Sequence, residues 1–274
     1  MSPRARFAGV VRYAVLALFF ALAAYPVLWM VSTGLKGARE AAGDWWGPPG
    51  ALQWSNFAEV WKDGGYLAAF LNSLAVSASA VVATVALAAP AGYALARLRF
   101  RGSRGVFLLF LAGMMVPVHV TLIPLLRLFD RTGLYDTLAG LAAVYTAFNL
   151  PVAVVLFAAF FREVPREVEE AAALDGCGAW GTFRLIALPL ARPAVVGVVV
   201  LTLVNVWNEF ALALVLLRDK QTLPLVVQNL RGEYGGEVHL VAAALAIAVV
   251  PPLLVYALAQ RHLVRGLTAG AVKG

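Results

Sequence analysis

Residues Tyr13–Val31 read YAVLALFFALAAYPVLWMV, a run without a single charged side chain. A helix needs about 20 apolar residues to cross the hydrocarbon core of a bilayer, and this run has that length. The whole chain of 274 residues is 62% hydrophobic and only 14% charged, whereas a soluble domain is about one quarter charged. One globular core cannot bury so much apolar surface, so the composition predicts a protein in contact with membrane lipid.

Five similar runs follow, and together they predict an all-α membrane protein with six transmembrane helices in one domain, residues 1–274. The predicted spans cover about residues 13–33, 74–96, 105–126, 137–161, 193–217 and 239–260. Inside lipid every backbone N–H and C=O must be paired within its own segment, which favours helices. Prolines inside the runs predict kinks or breaks, at Pro26, Pro90, Pro117, Pro151 and Pro251.

The first run also has features of a secretory signal peptide. Basic residues precede it, and Ala21-Leu22-Ala23 resembles a cleavage site. The apolar stretch nevertheless continues to Val31, which is too long for a typical signal sequence. A retained membrane anchor is therefore the favoured interpretation.

Basic residues are concentrated in every second connecting segment. If the N-terminus lies inside, the inner segments contain 14 of the 22 Lys and Arg, and the outer segments contain 8 together with nine acidic residues. Because cytoplasmic loops carry an excess of Lys and Arg, both termini are predicted to be cytoplasmic. The net charge of +7 follows this topology, and no nucleic-acid partner is expected.

Four tryptophans lie in the outer segment between the first two spans: Trp45, Trp46, Trp54 and Trp61. Tryptophan is enriched at membrane–water interfaces, so an aromatic belt in contact with membrane lipid is the favoured interpretation. A docking surface for a protein partner is the alternative, and the two are compatible.

The sequence lacks the motifs of an energy source or a hydrolytic centre. The phosphate-binding pattern Gly-x-x-x-x-Gly-Lys-Ser/Thr, the zinc pattern His-Glu-x-x-His and the Gly-x-Ser-x-Gly elbow do not occur. The single cysteine, Cys177, cannot form an internal disulfide. The chain is therefore predicted to be non-catalytic and to bind no metal or cofactor of its own. If it moves a solute uphill, a partner must supply the work.

The longest inner connection, residues 162–192, has a helix–turn–helix pattern. Pro165 suits the first turn of a helix because its φ is fixed and it lacks an N–H. Acidic residues follow and complement a helix N-terminus, and Gly176 can end the helix in a left-handed conformation. Phe183, Ile186 and Leu190 then recur at three-to-four spacing. The pattern predicts a helical hairpin on the inner membrane face.

The same connection resembles the EAA loop of permease subunits in binding-protein-dependent ABC importers. The resemblance rests on landmarks at the family's spacing: Glu170-Ala171-Ala172, Asp175-Gly176, Phe183, Ile186, Leu188-Pro189 and Pro193. Other landmarks are similar to the carbohydrate-uptake branch, in particular the maltose-type second permease subunit: Asn72-Ser73, Met115-Val116-Pro117, Ile123-Pro124-Leu125, Asn149-Leu150-Pro151, Trp207-Asn208-Glu209-Phe210, Thr222-Leu223-Pro224 and residues 266–274. One departure is Cys177-Gly178, where the family often has Ala-Ser.

This resemblance implies a multi-pass permease of the inner membrane that imports a sugar or related polyol by alternating access. Two separate ATPase subunits would use ATP and Mg²⁺, and a second permease subunit would complete a heterodimer. An extracytoplasmic solute-binding protein would face the outer loop at residues 218–238. The residues implied in coupling to the ATPase are Glu170, Ala171, Ala172, Asp175, Gly176, Phe183, Ile186 and Pro189.

Polar residues inside the fifth predicted span mark a candidate substrate pathway. A carboxylate at the centre of a membrane helix costs roughly 2.5–3.5 kcal/mol, so Glu209 should face the bundle interior, water or a partner. In a continuous helix Asn205 shares a face with Asn208 and Glu209, and Trp207 adds an aromatic surface. With Asn149, these residues could bind sugar hydroxyls or could hold helices together by hydrogen bonds. The sequence leaves both roles open.

Other classes of membrane protein are alternatives. The chain could be an ABC permease for a non-sugar solute or, in a different class, an ion-coupled secondary transporter or a membrane enzyme. A secondary transporter more often shows internal repeats and discontinuous helices, and neither is evident in the sequence. A membrane enzyme would need a cluster of polar residues near one face, which is also not evident.

Overall fold

The computed structural model describes residues 3–62, 65–98, 100–233 and 237–271, and all of their side chains except those of residues 3–8, 231–233 and 262–271. Parts of two predicted landmarks, residues 234–236 of the outer loop and 272–274 of the C-terminal motif, lie outside the described residues. The helices are α1 Pro3–Gly34, α2 Ala38–Gly43, α3 Ser55–Lys62, α4 Tyr66–Arg97, α5 Ser103–Gly113, α6 Val118–Thr132, α7 Leu138–Glu163, α8 Arg166–Leu174, α9 Ala179–Thr182, a π-helical segment Phe183–Ala187, α10 Leu188–Leu190, α11 Arg192–Trp207, α12 Ala211–Leu216, α13 Leu223–Glu233, α14 Val238–Ala248 and α15 Val250–Ala271.

Several of these helices are suited to a bilayer. Four are long and apolar enough to cross it: Gly9–Gly34, Tyr66–Arg97, Leu138–Glu163 and Val238–Arg261. Two bent pairs, Ser103–Gly113 with Val118–Thr132 and Ala179–Leu190 with Arg192–Trp207, raise the number to six if each pair counts as one span. The predicted helical membrane architecture is confirmed at this level, whereas two of the predicted spans differ in detail.

The third predicted span, residues 105–126, is not one helix. Its two parts, α5 and α6, meet at an angle of 99°. Pro117 directly precedes α6 and has an extended backbone with φ −68° and ψ 126°. Proline lacks an N–H and disfavours the helical region for the residue before it, which explains why α5 does not continue. The expected break at Pro117 is confirmed, but it produces a sharp bend.

The fifth predicted span, residues 193–217, is also interrupted. Residues 208–210 separate α11 from α12. The side chains of Asn208 and Glu209 both bond to backbone groups at this break. Side chains that bond the backbone compete with the helical hydrogen-bond ladder. The prediction of one continuous helix through this region is therefore wrong.

One of two compact units combines the described parts of residues 1–67 and 226–250. In this unit α1 packs against α14 at Gly34, where a Cβ would lie only 3.0 Å from the Ala243 Cα. Asn56 of α3 donates its amide to the Gly34 and Lys36 carbonyls, at 2.8 and 2.9 Å. Because α1 ends at Gly34, these two carbonyls accept no hydrogen bond from a following helical turn, and the Asn56 amide takes that place.

The other unit combines the described parts of residues 68–225 and 251–274. Within it α4 and α7 approach closely at Gly92, where a Cβ would lie 2.5 Å from the Phe157 Cβ. Small residues permit such close contact between membrane helices. One apolar cluster joins α4, α6, α7 and α12. A second joins α4 and α7 to the π-helical segment and α11, so the region of the predicted hairpin is packed onto two long helices.

Candidate functional site

The first arm of the predicted hairpin, α8, ends in a hydrogen-bonded turn. Gly176 has a left-handed φ of +83°. Its N–H donates to the Ala173 carbonyl at 3.1 Å, and the Cys177 N–H donates to the Ala172 carbonyl at 2.9 Å. This combination is the Schellman motif, which terminates helices. The predicted stop at Gly176 is confirmed, and Pro165 lies directly before α8 and not in its first turn.

The predicted coupling residues divide into two sets. The exposed set is Glu170, Ala171, Asp175, Gly176 and Pro189, and the buried or half-buried set is Ala172, Phe183 and Ile186. Leu174, at the end of α8, is 90% exposed, and Trp180, just after the turn, is 65% exposed. The tip of the hairpin therefore presents both acidic and apolar side chains outward.

Aromatic packing holds the second arm of the hairpin. The Phe183 ring lies 5.2 Å from the Tyr93 ring of α4 and 6.3 Å from the Phe161 ring of α7, measured between centroids. Tyr93 and Phe161 also contact each other edge to face at 5.4 Å. Aromatic pairs at these separations add to the free energy gained by apolar burial. Phe183 thus fastens the hairpin to both long helices.

An ion pair holds the first arm. Arg97 Nε, at the end of α4, lies 3.1 Å from Glu169 Oε1 of α8, and the two side chains are only 7% and 19% exposed. Arg97 Nη2 also donates to the Val164 carbonyl, where α7 leads into α8. An ion pair shielded from water is screened less by salt than an exposed one. Sequence analysis missed this pair because the two residues are far apart in the chain and neither belongs to a motif.

A polar cluster connects α7 with the break between α11 and α12. The Tyr145 hydroxyl donates to Glu209 Oε2 at 2.7 Å. The same carboxylate accepts the N–H groups of Leu212 at 2.8 Å and Ala213 at 3.2 Å. Glu209 therefore caps the first turn of α12, where free N–H groups stabilise negative charge. These bonds offset the cost of placing a carboxylate in an apolar region.

Two asparagines extend the cluster along α7. Asn205 Nδ2 donates to Asn149 Oδ1 at 3.2 Å, and Asn149 Nδ2 donates to the Tyr145 carbonyl at 2.8 Å. Asn205 and Glu209 thus both contact α7, whereas Asn208 Nδ2 donates to the carbonyl of Val204 in its own helix, at 2.8 Å. The structure brings Asn149, Asn205 and Glu209 together and adds Tyr145, which the sequence did not distinguish from other apolar-span tyrosines.

Trp207 lies in a different environment from these polar residues. Its side chain is buried and packs edge to face against Phe70, with ring centroids 5.8 Å apart. Of the two roles that the sequence leaves open for this segment, sugar contact and helix packing, the Trp207 ring has a packing contact in the structure.

The loop after α12 is held by one carboxylate. Asp136 Oδ1 accepts the N–H groups of Arg218, Asp219 and Lys220, at 3.0, 3.2 and 3.1 Å. The Asp136 N–H in turn donates to the Leu216 carbonyl at 2.9 Å. The hydrogen bond from the Arg218 N–H is the main cause of a pKa below the usual value for Asp136. The loop between α6 and α7 is thus tied to the loop that follows α12.

We expect Asp136→Ala to loosen this loop. The lost hydrogen bonds, together with the strain of an alanine at the left-handed φ of 53° that Asp136 adopts, should raise the hydrogen-exchange rates of the Arg218 and Lys220 amides at least about tenfold. Asp136→Asn keeps one acceptor oxygen and is the matched control. Because the carboxyl pKa in the folded protein is below its unfolded value of 3.8, the stabilisation should be present above that pH and be lost as the pH falls further. Unchanged exchange in Asp136→Ala would show that other contacts hold the loop.

The described part of the chain combines helices of membrane-spanning length, a polar cluster between two helices and an exposed helical hairpin. Among these residues no three His, Cys, Asp or Glu side chains form a group that could hold a metal ion. The helices are those of a polytopic membrane protein.

Comparison with known proteins identifies the family. The family of binding-protein-dependent transport system inner membrane components matches residues 88–269, and the chain belongs to this family. It is 33% identical to the diacetylchitobiose uptake system permease protein NgcG of Streptomyces coelicolor, over 99% of this chain and 91% of that protein. It is 34% identical to the trehalose transport system permease protein SugB of Mycobacterium tuberculosis, over 91% of this chain and 92% of that protein.

A solved structure has the same fold. One chain in the crystal structure of a bacterial ABC transporter involved in the import of the acidic polysaccharide alginate matches with a TM-score of 0.79 and 25% identity. The match covers 95% of this chain and 98% of that one. The resemblance to permease subunits of ABC importers is therefore confirmed along nearly the whole chain.

Proposed function

We propose that this chain is the permease subunit of an ABC importer for a sugar or related polyol. The relatives named for diacetylchitobiose and trehalose uptake, and the structural relative from an alginate importer, support a carbohydrate as the solute. The chain itself is non-catalytic and binds no cofactor. It lies in the inner membrane with both termini in the cytoplasm, as the distribution of Lys and Arg favours.

The observation that carries this proposal is the exposed hairpin and its attachment. Residues 166–190 project acidic and apolar side chains outward, while Arg97–Glu169 and the Phe183 cluster tie both arms to α4 and α7. A partner that moves the hairpin would therefore also move the ends of these two helices. The partner we propose is a pair of ATPase subunits that use ATP and Mg²⁺. Their closure would shift the permease between two packed arrangements, which is alternating access.

Two further partners complete the proposed assembly. A second, different permease subunit forms a heterodimer with this chain, and an extracytoplasmic solute-binding protein delivers the solute. The loop at residues 218–238 is proposed to face that binding protein, and the bonds from Asp136 fix its first residues in place.

We assign two roles to the polar residues at and near the break between α11 and α12. Asn149, Asn205 and Asn208 contact the solute, because their amides can bond to hydroxyl groups, whereas Glu209 holds the break through its three hydrogen bonds. Asn208→Ala should change the ratio of the uptake rates of two carbohydrates by up to about tenfold, because one hydrogen bond to the solute is removed. Glu209→Gln should lower the uptake rates of both carbohydrates by the same factor. A changed ratio in Glu209→Gln would make Glu209 a solute ligand, and an unchanged rate and ratio in Asn208→Ala would remove Asn208 from the pathway.

The function is tested by reconstitution. The chain, its partner permease, the ATPase subunits and the binding protein are placed in liposomes, and entry of radiolabelled trehalose and diacetylchitobiose is measured with and without ATP. We expect uptake of a carbohydrate only when all subunits and ATP are present. Transport by this chain alone, without an ATPase, would contradict the proposal.

A further inference from the structure

The linker between α12 and α13, residues 217–222, bonds to side chains near the start of α4. Asn72 Nδ2 donates to the Gln221 carbonyl at 2.9 Å. The Leu223 N–H, at the start of α13, donates to Ser73 Oγ at 2.8 Å, and Ser73 is only 4% exposed. Because a buried N–H that loses its acceptor is costly in free energy, these bonds hold the linker against α4.

The same linker is bonded near the start of α7. Asp136, two residues before that helix, accepts the N–H groups of residues 218–220, and its own N–H donates to the Leu216 carbonyl at the end of α12. Asp136 has a left-handed φ of 53°, which residues other than glycine adopt rarely. Such a conformation persists where the surrounding contacts hold it. The linker is therefore attached near the starts of both α4 and α7.

The opposite ends of α4 and α7 carry the hairpin. Arg97, the last residue of α4, pairs with Glu169 of α8, and Phe183 packs on aromatic rings of both long helices. From Ser73 to Arg97 the helix rises about 36 Å, which exceeds the roughly 30 Å hydrocarbon core of a bilayer. The two helices are thus long enough to connect the linker on one side of the membrane with the hairpin on the other.

α4 and α7 pack on each other along this length. Near the linker, one apolar cluster combines Val76 of α4, Leu141 of α7 and Leu217 of the linker itself. Toward the hairpin, a second cluster joins the same two helices, and there a Cβ at Gly92 would lie 2.5 Å from the Phe157 Cβ. Closely packed side chains resist compression and transmit displacement. We therefore expect α4 and α7 to move as one body.

From this arrangement we propose that α4 and α7 carry the movement of the hairpin to the α12–α13 linker, and that Asn72 and Ser73 are positioning residues that keep the linker attached. The inference rests on the proposed function, in which the ATPase subunits move the hairpin and the loop at residues 218–238 faces the binding protein. Packed side chains and hydrogen bonds form a continuous physical connection between the two. If the linker is released, ATP hydrolysis still moves the hairpin, but the loop no longer follows α4. Less solute then enters for each ATP hydrolysed.

Two substitutions test the attachment in the complete transporter, reconstituted in liposomes with the partner permease, the ATPase subunits and the binding protein. Ser73→Ala removes the acceptor of the Leu223 N–H. Asn72→Asp keeps the size of the side chain but removes the donor to the Gln221 carbonyl. Ser77→Ala is the matched control, because Ser77 lies one turn further along α4, is equally buried, and has no hydrogen-bond partner for its Oγ among the residues that the structure describes.

Uptake of radiolabelled trehalose and diacetylchitobiose and hydrolysis of ATP are measured together at several concentrations of the binding protein, with the amount of inserted permease quantified. We expect the number of ATP molecules hydrolysed per solute to rise severalfold, and up to about tenfold, when one hydrogen bond is lost in Ser73→Ala or Asn72→Asp. The number should not change in Ser77→Ala. Hydrogen exchange of the Leu223 amide should become faster in Ser73→Ala, and the concentration of binding protein that gives half-maximal uptake should stay the same.

An unchanged number of ATP molecules per solute in Ser73→Ala and Asn72→Asp would overturn the proposal, even if Leu223 exchanged faster. A higher half-maximal concentration of binding protein with that number unchanged would also overturn it, because the linker would then act only in docking. An equal rise in Ser77→Ala would show that the effect does not come from the linker. A wild-type assembly that takes up neither solute would contradict the proposed function itself and remove the basis of this inference.

Discussion

Arg97→Glu is expected to reduce ATP-driven uptake by at least about 100-fold, and adding Glu169→Arg is expected to restore part of it. The single exchange places two carboxylates where an ion pair of 3.1 Å now joins α4 to α8. Breaking a shielded pair by changing one partner costs about 3–5 kcal/mol. The restored pair would regain the attraction between the helices. It would not regain the bond from Arg97 to the Val164 carbonyl, so recovery should be incomplete.

Uptake and ATPase activity should be measured together in the reconstituted assembly, with the amount of inserted protein quantified for each variant. Arg101→Glu is the matched control, because Arg101 is exposed near the same end of α4. If Arg97→Glu transported as well as Arg101→Glu, the pair would have no part in coupling. If the double variant were no better than the single one, the contact between residues 97 and 169 would not be the cause of the loss.

Gly176→Asp is expected to bring uptake to background while the chain still folds and inserts. A Cβ at Gly176 would meet no atom within 4 Å, so the change disturbs the fold only through its φ of +83°. A residue other than glycine in the left-handed conformation lowers the stability of the fold by roughly 1–2 kcal/mol, and Asp tolerates this conformation better than most residues. The new carboxylate would, however, project from the exposed tip, beside Asp175, into the surface proposed to contact the ATPase.

Gly178→Asp is a close control for this experiment. Gly178 also has open space around it, but its φ is −74° and it directly precedes α9, a position that favours Asp. We expect normal membrane insertion for both variants and a loss of uptake only for Gly176→Asp. Binding of the ATPase subunits, measured by co-purification, should fall in parallel. Full uptake in Gly176→Asp would disprove the assignment of this turn to coupling.

The helices and the hairpin were accessible to sequence analysis because their signals are local. A charge-free run such as residues 13–31 predicts a membrane helix from its length alone. The stop at Gly176 follows from the conformational freedom of one residue. Both of these features depend on neighbours within a few positions.

The remaining features depend on residues that are distant in the chain. The pairs Arg97–Glu169 and Tyr145–Glu209 join residues more than 60 positions apart, and no spacing rule connects them. The same applies to the break at residues 208–210, where Glu209 was treated as a member of a continuous helix. Its carboxylate instead bonds two backbone N–H groups and a tyrosine from another helix. The π-helical segment also has no local signal, since its Phe183 is placed by aromatic rings of α4 and α7.

The interruption after Trp207 has a mechanical consequence. Residues 208–210 link α11 to α12. At this link the Asn208 side chain donates to the Val204 carbonyl, and the Leu212 and Ala213 N–H groups donate to the Glu209 carboxylate. The last main-chain bond of α11 is donated by Glu209, and the first of α12 is accepted by Phe210. The angle between the two helices can therefore change without opening the main-chain bonds of either one. If the Glu209 carboxylate moves with α12, it keeps the first turn of that helix bonded but must give up the hydrogen bond from Tyr145 of α7. A pivot of this kind lets one part of a membrane segment tilt while the other stays packed.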